Sequence, residues 1–198
     1  MLFRSIENSL NNITKDIICI FIGNYEIGIQ LIKKIVASDK KNLSMVIVFK
    51  HHKLYKLFTD LIANIKNKVV FISKEYGNDI IPSLQAIHYM LINYNHIENI
   101  YKFHTNSNQI WFNDLTDYLL NNKLKPNKNS NCIGHPNYYV DLNNDKFCKT
   151  IINNNKHMID KTKFIGGTIF YAKRLVYEKV LNFMKTDYLQ YFTNNMYD

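Results

Sequence analysis

The sequence predicts a single α/β domain, residues 1–198, built as a mostly parallel sheet with flanking helices. Three observations lead there. Four short apolar runs rich in β-branched residues recur between residues 16 and 103. Amphipathic stretches with helical spacing lie between them. A chain of 198 residues suits one domain able to bury a real core. Apolar residues make up 46% of the chain and aromatics 14%, which excludes disorder for most of it.

The elements follow in order after a polar lead-in. Asp16–Ile22 (DIICIFI) is a continuous apolar run stopped by Gly23-Asn24, the pattern of a strand covered on both faces. Ile27, Leu31, Ile32, Ile35 and Val36 then repeat at helical spacing. Leu43–Phe49 is a second buried strand, and Leu54, Leu57, Phe58, Leu61 and Ile62 mark one further helix. Val69–Ile72 is a third strand. Pro82 opens the next helix, where its missing N–H is tolerated, and that helix continues through Leu84, Ile87, His88 and Leu91. Asn99–Phe103 is a fourth strand, and Trp111–Leu120 a helix with Trp111, Leu115, Tyr118 and Leu119 inward. The polar stretch 121–131 reads as a loop.

Strands alternating with helices imply right-handed crossovers and a parallel sheet, whose ligands bind beyond the carboxyl ends of the strands. That rule selects four turns: Gly23-Asn24, Lys50-His51, Tyr76–Asp79 and His104–Asn106.

The formal charge of +9 raises the question of a nucleic-acid partner. Yet only Arg4 and Arg174 are arginine, the lysines are scattered, and 28 residues are Asn. Base readout and bidentate phosphate clamping favour Arg, so no nucleic-acid partner is expected. The Lys, Asn, Ile and Tyr excess resembles an AT-rich coding sequence, as in some protists and giant DNA viruses. Cys19, Cys132 and Cys148 lack C-x-x-C spacing, which argues against a disulfide framework and fits a reducing compartment. Cys19 reads as a small core residue. The opening residues MLFRSIENSLNN are not an apolar run, so no signal segment is expected, and the apolar run Ile17–Ile22 is too short to span a bilayer. A soluble protein with no transmembrane segment is expected in the cytoplasm, or in the host cytoplasm if the gene is viral.

Three segments, in order, resemble those of the rhamnan-synthesis F family and related polysaccharide-biosynthesis proteins. Tyr76–Pro82 (YGNDIIP) is similar to that family's Asn/Gly-x-Asp-Ile-x-Pro segment. Tyr101–Ser107 (YKFHTNS) is similar to its Lys-x-His-Thr-Lys-Ser segment, and Phe164–Tyr171 (FIGGTIFY) to its Phe-x-Gly-Gly-Thr-Met-Phe-Trp segment. The resemblance spans roughly residues 65–185 and implies a glycosyltransferase-A-like fold. A Rossmann-like nucleotide-sugar-binding half would occupy about 14–120, and an acceptor-side half, whole or truncated, about 121–198. It implies transfer of a sugar from a nucleotide-diphosphate-sugar donor to a glycan or glycoconjugate acceptor. The alternative is a catalytically degenerate carbohydrate- or nucleotide-binding module. Asn78 stands where the family has Arg and Asn106 where it has Lys, each removing a cation that could face a diphosphate.

Such transfer needs the leaving diphosphate stabilised by Mn²⁺ or Mg²⁺ or by cationic side chains, and in the inverting case a base for the acceptor hydroxyl. The Asp-x-Asp usual for the metal is replaced here by Phe103-His104-Thr105-Asn106, so the metal ligands are left unknown. His104 is the first catalytic candidate, as phosphate ligand or acid–base group; its alternative is packing against Trp111. Asp79 is the second, as a partner for a sugar hydroxyl or metal; its alternative is the N-cap of the Pro82 helix. Nucleotide or sugar contacts fall to Gly23, Asn24, Gly77, Asn78, Lys102, Thr105, Gly166, Gly167 and Thr168. Lys102 alternates to the same side as His104. Gly166-Gly167-Thr168 reads either as a close backbone approach to ligand or as a tight turn. Gly23–Gly28 (GNYEIG) lacks dinucleotide-binding spacing. Asp114 and Asp117 read as a solvated helix edge, and His51-His52 as surface.

Overall fold

The computed structural model describes residues 5–8, 12–73, 79–121, 131–141, 163–165 and 169–183. The elements are β1 (Ser5–Asn8), β2 (Asp16–Ile22), α1 (Tyr25–Ala37), β3 (Ser44–Phe49), α2 (His52–Lys56), α3 (Thr59–Ala63), β4 (Lys68–Ile72) and α4 (Ile80–Asn93). They continue with β5 (Asn99–His104), α5 (Gln109–Asn121), β6 (Cys132–Ile133), a 3₁₀ turn (Pro136–Tyr138), β7 (Tyr139–Asp141), β8 (Lys163–Ile165), β9 (Phe170–Lys173) and α6 (Arg174–Phe183).

Seven strands form one sheet in the order β1-β4-β3-β2-β5-β9-β6, and β7 pairs with β8 in a separate ribbon. Strands β4, β3, β2 and β5 are mutually parallel. The edges are antiparallel: β1 on β4 with a register shift between Ser5 and Glu7, and β9 on β5. The expected α/β class and mostly parallel sheet are therefore present.

Strands β2 and β3 are buried along almost their whole length because helices cover both faces. Residues alternating along β2 supply two cores. Ile18, Ile20 and Ile22 face α1, α2, α3 and α5, whereas Ile17, Cys19 and Phe21 face α4 and α6. Burial of branched aliphatic side chains on both sides is the main stabilising term, at roughly 25 cal/mol per Å² of apolar surface.

Strand boundaries follow the expected runs to within a residue. Two helical expectations are corrected. The helix through Leu54–Ile62 is two short helices, α2 and α3, with Leu57 and Phe58 between them. That break turns Phe58 inward against Phe49 and Tyr25 and leaves Leu57 61% exposed. Val36, assigned to the apolar stripe of α1, is 46% exposed, because the buried stripe runs through Ile27, Gly28, Leu31, Ile32 and Ile35. Gly28 sits on that stripe because a Cβ there would lie 2.8 Å from Ile22 Cγ2 and 2.8 Å from Phe58 Cζ.

Arg174 opens α6 and terminates α4. Its guanidinium donates to the carbonyls of Leu91, Tyr94 and Asn95 at 2.9–3.1 Å. Among the described residues no helix is long and apolar enough to cross a membrane.

Candidate functional site

The order of the parallel strands reverses between β2 and β5. From β2 the chain steps outward through β3 to β4, then returns by α4 to the other side of β2. Loops leaving the carboxyl ends of two such strands diverge, and a crevice opens between them. Here the crevice is a cavity of about 320 Å³ bordered by Gly23, Asn24, Lys50, Asp79, His104 and Thr105.

The two strand ends are tied together across this point. The Thr105 N–H donates to the Phe21 carbonyl at 3.1 Å, and the Gly23 N–H donates to Thr105 Oγ1 at 2.9 Å. A side chain at Gly23 would press on the clamp, since its Cβ would lie 3.2 Å from the Phe21 ring and 3.5 Å from Thr105 Oγ1. Asn24 caps α1, its Oδ1 accepting from the Ile27 N–H at 3.0 Å. Lys50 leaves β3 into solvent at the cavity edge, with its backbone N–H held by the Ile22 carbonyl at 2.9 Å.

Asp79 precedes α4 but does not cap it with its side chain. Its φ of −59° and ψ of −19° are already helical, which turns the carboxylate away from the first-turn N–H groups. Ser83 instead donates its hydroxyl to the Asp79 carbonyl at 2.6 Å. The freed carboxylate reaches the sheet, where Oδ2 accepts from Lys102 Nζ at 2.7 Å. Lys102 is 2% exposed, beneath α4 and opposite Cys19 in the β2–β5 register. Burial lowers its pKa, and the Asp79 charge and hydrogen bond oppose that shift. Burial likewise pushes the Cys19 thiol up to about 12, leaving it an inert core group.

His104 ends β5 on the same side as Lys102, since alternate residues share a face. Its side chain is 9% exposed, and its Nδ1 lies 3.9 Å from Asp79 Oδ1. The ring also meets Trp111 edge-on, with centroids 5.8 Å apart, so the packing alternative and the site location both describe it. Nε2 is buried without a hydrogen-bond partner, which is costly unless a ligand or water supplies one. Burial lowers the His104 pKa from 6.5 to about 4; Asp79 opposes the shift and Lys102 adds to it. The imidazole is therefore neutral at pH 7.

The structure thus brings together Gly23, Asn24, Asp79, Lys102, His104 and Thr105. Lys102 shares the His104 face as expected, but its ammonium is engaged by Asp79 beneath the cavity. Gly77, Asn78, Gly166, Gly167, Thr168 and Cys148 lie outside the described residues. Phe170, just after the glycine pair, is bonded in register with Lys102, so the chain enters β9 near the carboxyl end of β5. Lys50 lies in one of the four turns that the strand-end rule selects, but sequence reasoning assigns it no ligand contact there.

Other candidates separate from the site. Asp114 accepts from the Tyr138 hydroxyl at 2.8 Å, and Asp117 pairs with Lys34 at 2.7 Å. His51 caps α2, its Nδ1 accepting from the Leu54 N–H at 3.0 Å. A larger concavity of about 700 Å³ opens at the opposite end of the sheet, floored by Ile32, Leu43, Met45, Leu61 and Ile65. Lys33, Lys41, Lys66, Asn42, Asn64 and Asn67 also line it; the smaller cavity is the one at which Asp79 and His104 meet.

The implied Mn²⁺ or Mg²⁺ does not fit the described residues at this cavity. Such cations take several oxygen ligands, carboxylates foremost. Asp79 is the one carboxylate among the described residues bordering the cavity, and its Oδ2 is bonded to an ammonium. Among the described residues no group of three or more His, Cys, Asp or Glu is placed to hold a metal.

No protein-family model matches the chain, and no curated protein is significantly similar to it.

Proposed function

We propose that this chain is a glycosyltransferase moving a sugar from a nucleotide-diphosphate-sugar donor to a glycan or glycoconjugate acceptor. One observation carries the reading. At the point where the strand order reverses, His104 borders a cavity with the Asp79 carboxylate 3.9 Å from its Nδ1, and its Nε2 is buried without a hydrogen-bond partner. In the three-segment resemblance these two residues belong to different segments, and the fold brings them together.

The chemistry requires a group to take the acceptor hydroxyl proton as its oxygen attacks the anomeric carbon. The bond from that carbon to the donor phosphate oxygen breaks, and the nucleoside diphosphate leaves. His104 accepts the proton through Nε2, which the ring must first turn toward the cavity, since that atom is closed to solvent. Asp79 favours the tautomer with the proton on Nδ1 and stabilises the imidazolium as it forms. The 3.9 Å separation exceeds a hydrogen bond, and catalytic contacts of this kind tighten when substrate binds. Lys102 is a positioning residue that holds the Asp79 carboxylate toward His104.

The test is a thermal-shift screen of nucleoside diphosphates and their sugars, followed by a transfer assay on the wild type and His104→Gln. One base series should raise the melting temperature. His104→Gln should retain donor binding and lose at least about a hundredfold in transfer, the usual scale for a positioned acid–base group. If no nucleotide shifts the melting temperature, the donor site is wrong. Binding with no transfer by the wild type selects the second reading, a degenerate binding module; the engagement of Asp79 by Lys102 favours it.

A further inference from the structure

Val36 departs from the buried stripe of α1, yet its side chain is not simply left in solvent. It forms one wall of the concavity of about 700 Å³ at the amino ends of β3 and β4. That volume lies within the roughly 300–1,000 Å³ usual for small-molecule sites. The accessible lining is mostly apolar. It comes from Val36 and Ala37, which are exposed, and from Leu43 and Leu61, which are half-buried. Ile32 and Met45, each 1% exposed, lie behind them as a fixed backing. The groove is thus a strip of open aliphatic surface on a rigid base.

Its rim has one sign of charge. Lys33 on α1, Lys41 before β3 and Lys66 before β4 all line it, and all three are exposed. Among the described residues neither Lys33 nor Lys41 is in an ion pair, whereas Lys34 on the same helix is taken by Asp117. No Asp or Glu is among the lining residues, all of which belong to the described stretch 12–73. Asp39 and Asp60 flank the same segments, exposed and outside the lining, and Asp39 acts on its neighbour Lys40. The carboxyl ends of α1 and α3 point their partial negative charge to this end of the sheet, but their last carbonyls are engaged. The Ile35 carbonyl accepts from the Ser38 hydroxyl at 2.7 Å, and the Ile62 carbonyl from the Ile65 N–H at 3.0 Å. Lys68, 3% exposed and opposite Met45 in register, donates to the Ile65 carbonyl at 3.2 Å and adds a cation beneath the groove.

We infer that this groove is a second binding site, for a single-chain anionic amphiphile such as a fatty carboxylate. The chain lies against Val36, Leu43 and Leu61, and the head sits among Lys33, Lys41 and Lys66. Burial of the chain supplies the affinity, and the exposed lysines choose the sign of the head. A recess of this kind takes one chain rather than a bilayer surface, because Val36 is the one exposed large hydrophobic side chain of its lining. The groove is at the opposite end of the sheet from His104, so its occupancy is independent of the donor reading.

Titration calorimetry on the full chain tests this with octanoate, decanoate and dodecanoate below their micelle concentrations, and with dodecyltrimethylammonium as the charge-reversed probe. Each buried methylene is worth about fourfold, so affinity should rise about tenfold for every two added. Dodecanoate should bind at least about tenfold tighter than the ammonium. Lys33→Gln combined with Lys41→Gln should shrink that preference to about threefold. Val36→Asp should weaken dodecanoate about tenfold. The replaced side chains are exposed, and an unchanged melting temperature shows that each variant folds. Equal affinity for the two heads, indifference to chain length, or silence of every probe overturns the inference. So does sedimentation with phosphatidylserine vesicles by a chain that ignores the soluble probes, which marks a membrane contact. A dimer in sedimentation that Val36→Asp dissociates also overturns it, and makes the groove a contact between copies.

Discussion

A neutral imidazole enclosed by a folded protein leaves a signature in how stability responds to acid. His104 has its pKa lowered from 6.5 to about 4 by burial, with Asp79 opposing that shift, Lys102 adding to it and Lys50 at the same cavity edge. Between those values the unfolded chain binds a proton that the folded chain refuses, so stability falls as pH drops from about 6.5 to about 4. Below about 4 both states carry the proton and this contribution is constant. The loss should reach about 3 kcal/mol, since each tenfold difference in proton affinity between the two states is worth about 1.4 kcal/mol. Urea unfolding of wild type and His104→Gln at pH 7, 5.5 and 4 checks it: the variant should show a shallower decline by about that amount. Parallel curves would mean that His104 titrates freely. His104 and Asp79 were legible in the sequence because strand ends and helix starts can be located from apolar runs. The Lys102–Asp79 pair was not, because alternation gives the side on which a lysine stands and says nothing of which helix start lies above it.

At the scale of elements, Gly28 shows how closely α1 sits on the sheet. A methyl group there would overlap Ile22, fixed in the central strand, and Phe58, fixed by its rings against Phe49 and Tyr25. Gly28→Ala should therefore destabilise the protein by about 1–3 kcal/mol, the usual range for overpacking, despite the better helix propensity of Ala. A chemical denaturation midpoint at or above that of the wild type would show that the helix shifts freely. The four parallel strands were legible because burial on both faces leaves a plain apolar run. The break between α2 and α3 was not, since Leu57 and Phe58 are both apolar and only packing decides which turns inward. The polar edge strand β1 and the two-residue β6 leave no periodicity long enough to read. Strand β9 and helix α6 escaped for another reason: Phe170–Lys173 is only four residues, and α6 begins directly at its end.

For the whole molecule, alternation of strands and helices implied a parallel sheet, but not which pair of strands flanks the reversal. That depends on α4 crossing to the opposite face from α1, α2, α3 and α5. Once the order is known, the clamp between Gly23 and Thr105 marks the reversal point at a distance of 82 residues along the chain. Part of the basic charge is accounted for at this scale. Arg174 is committed to the end of α4, Lys102 is sealed in the core, and Lys34 is paired with Asp117. These three basic residues serve the fold, so the net charge of +9 overstates what the surface offers a partner.

The chain contains one tryptophan, and the fold places it against His104 and Tyr138 beside the cavity. Indole emission responds to the polarity and protonation of what touches the ring. All of the tryptophan fluorescence of this protein consequently originates at the edge of its proposed reaction centre, giving the molecule a built-in optical reporter of occupancy and of His104 protonation that needs no label.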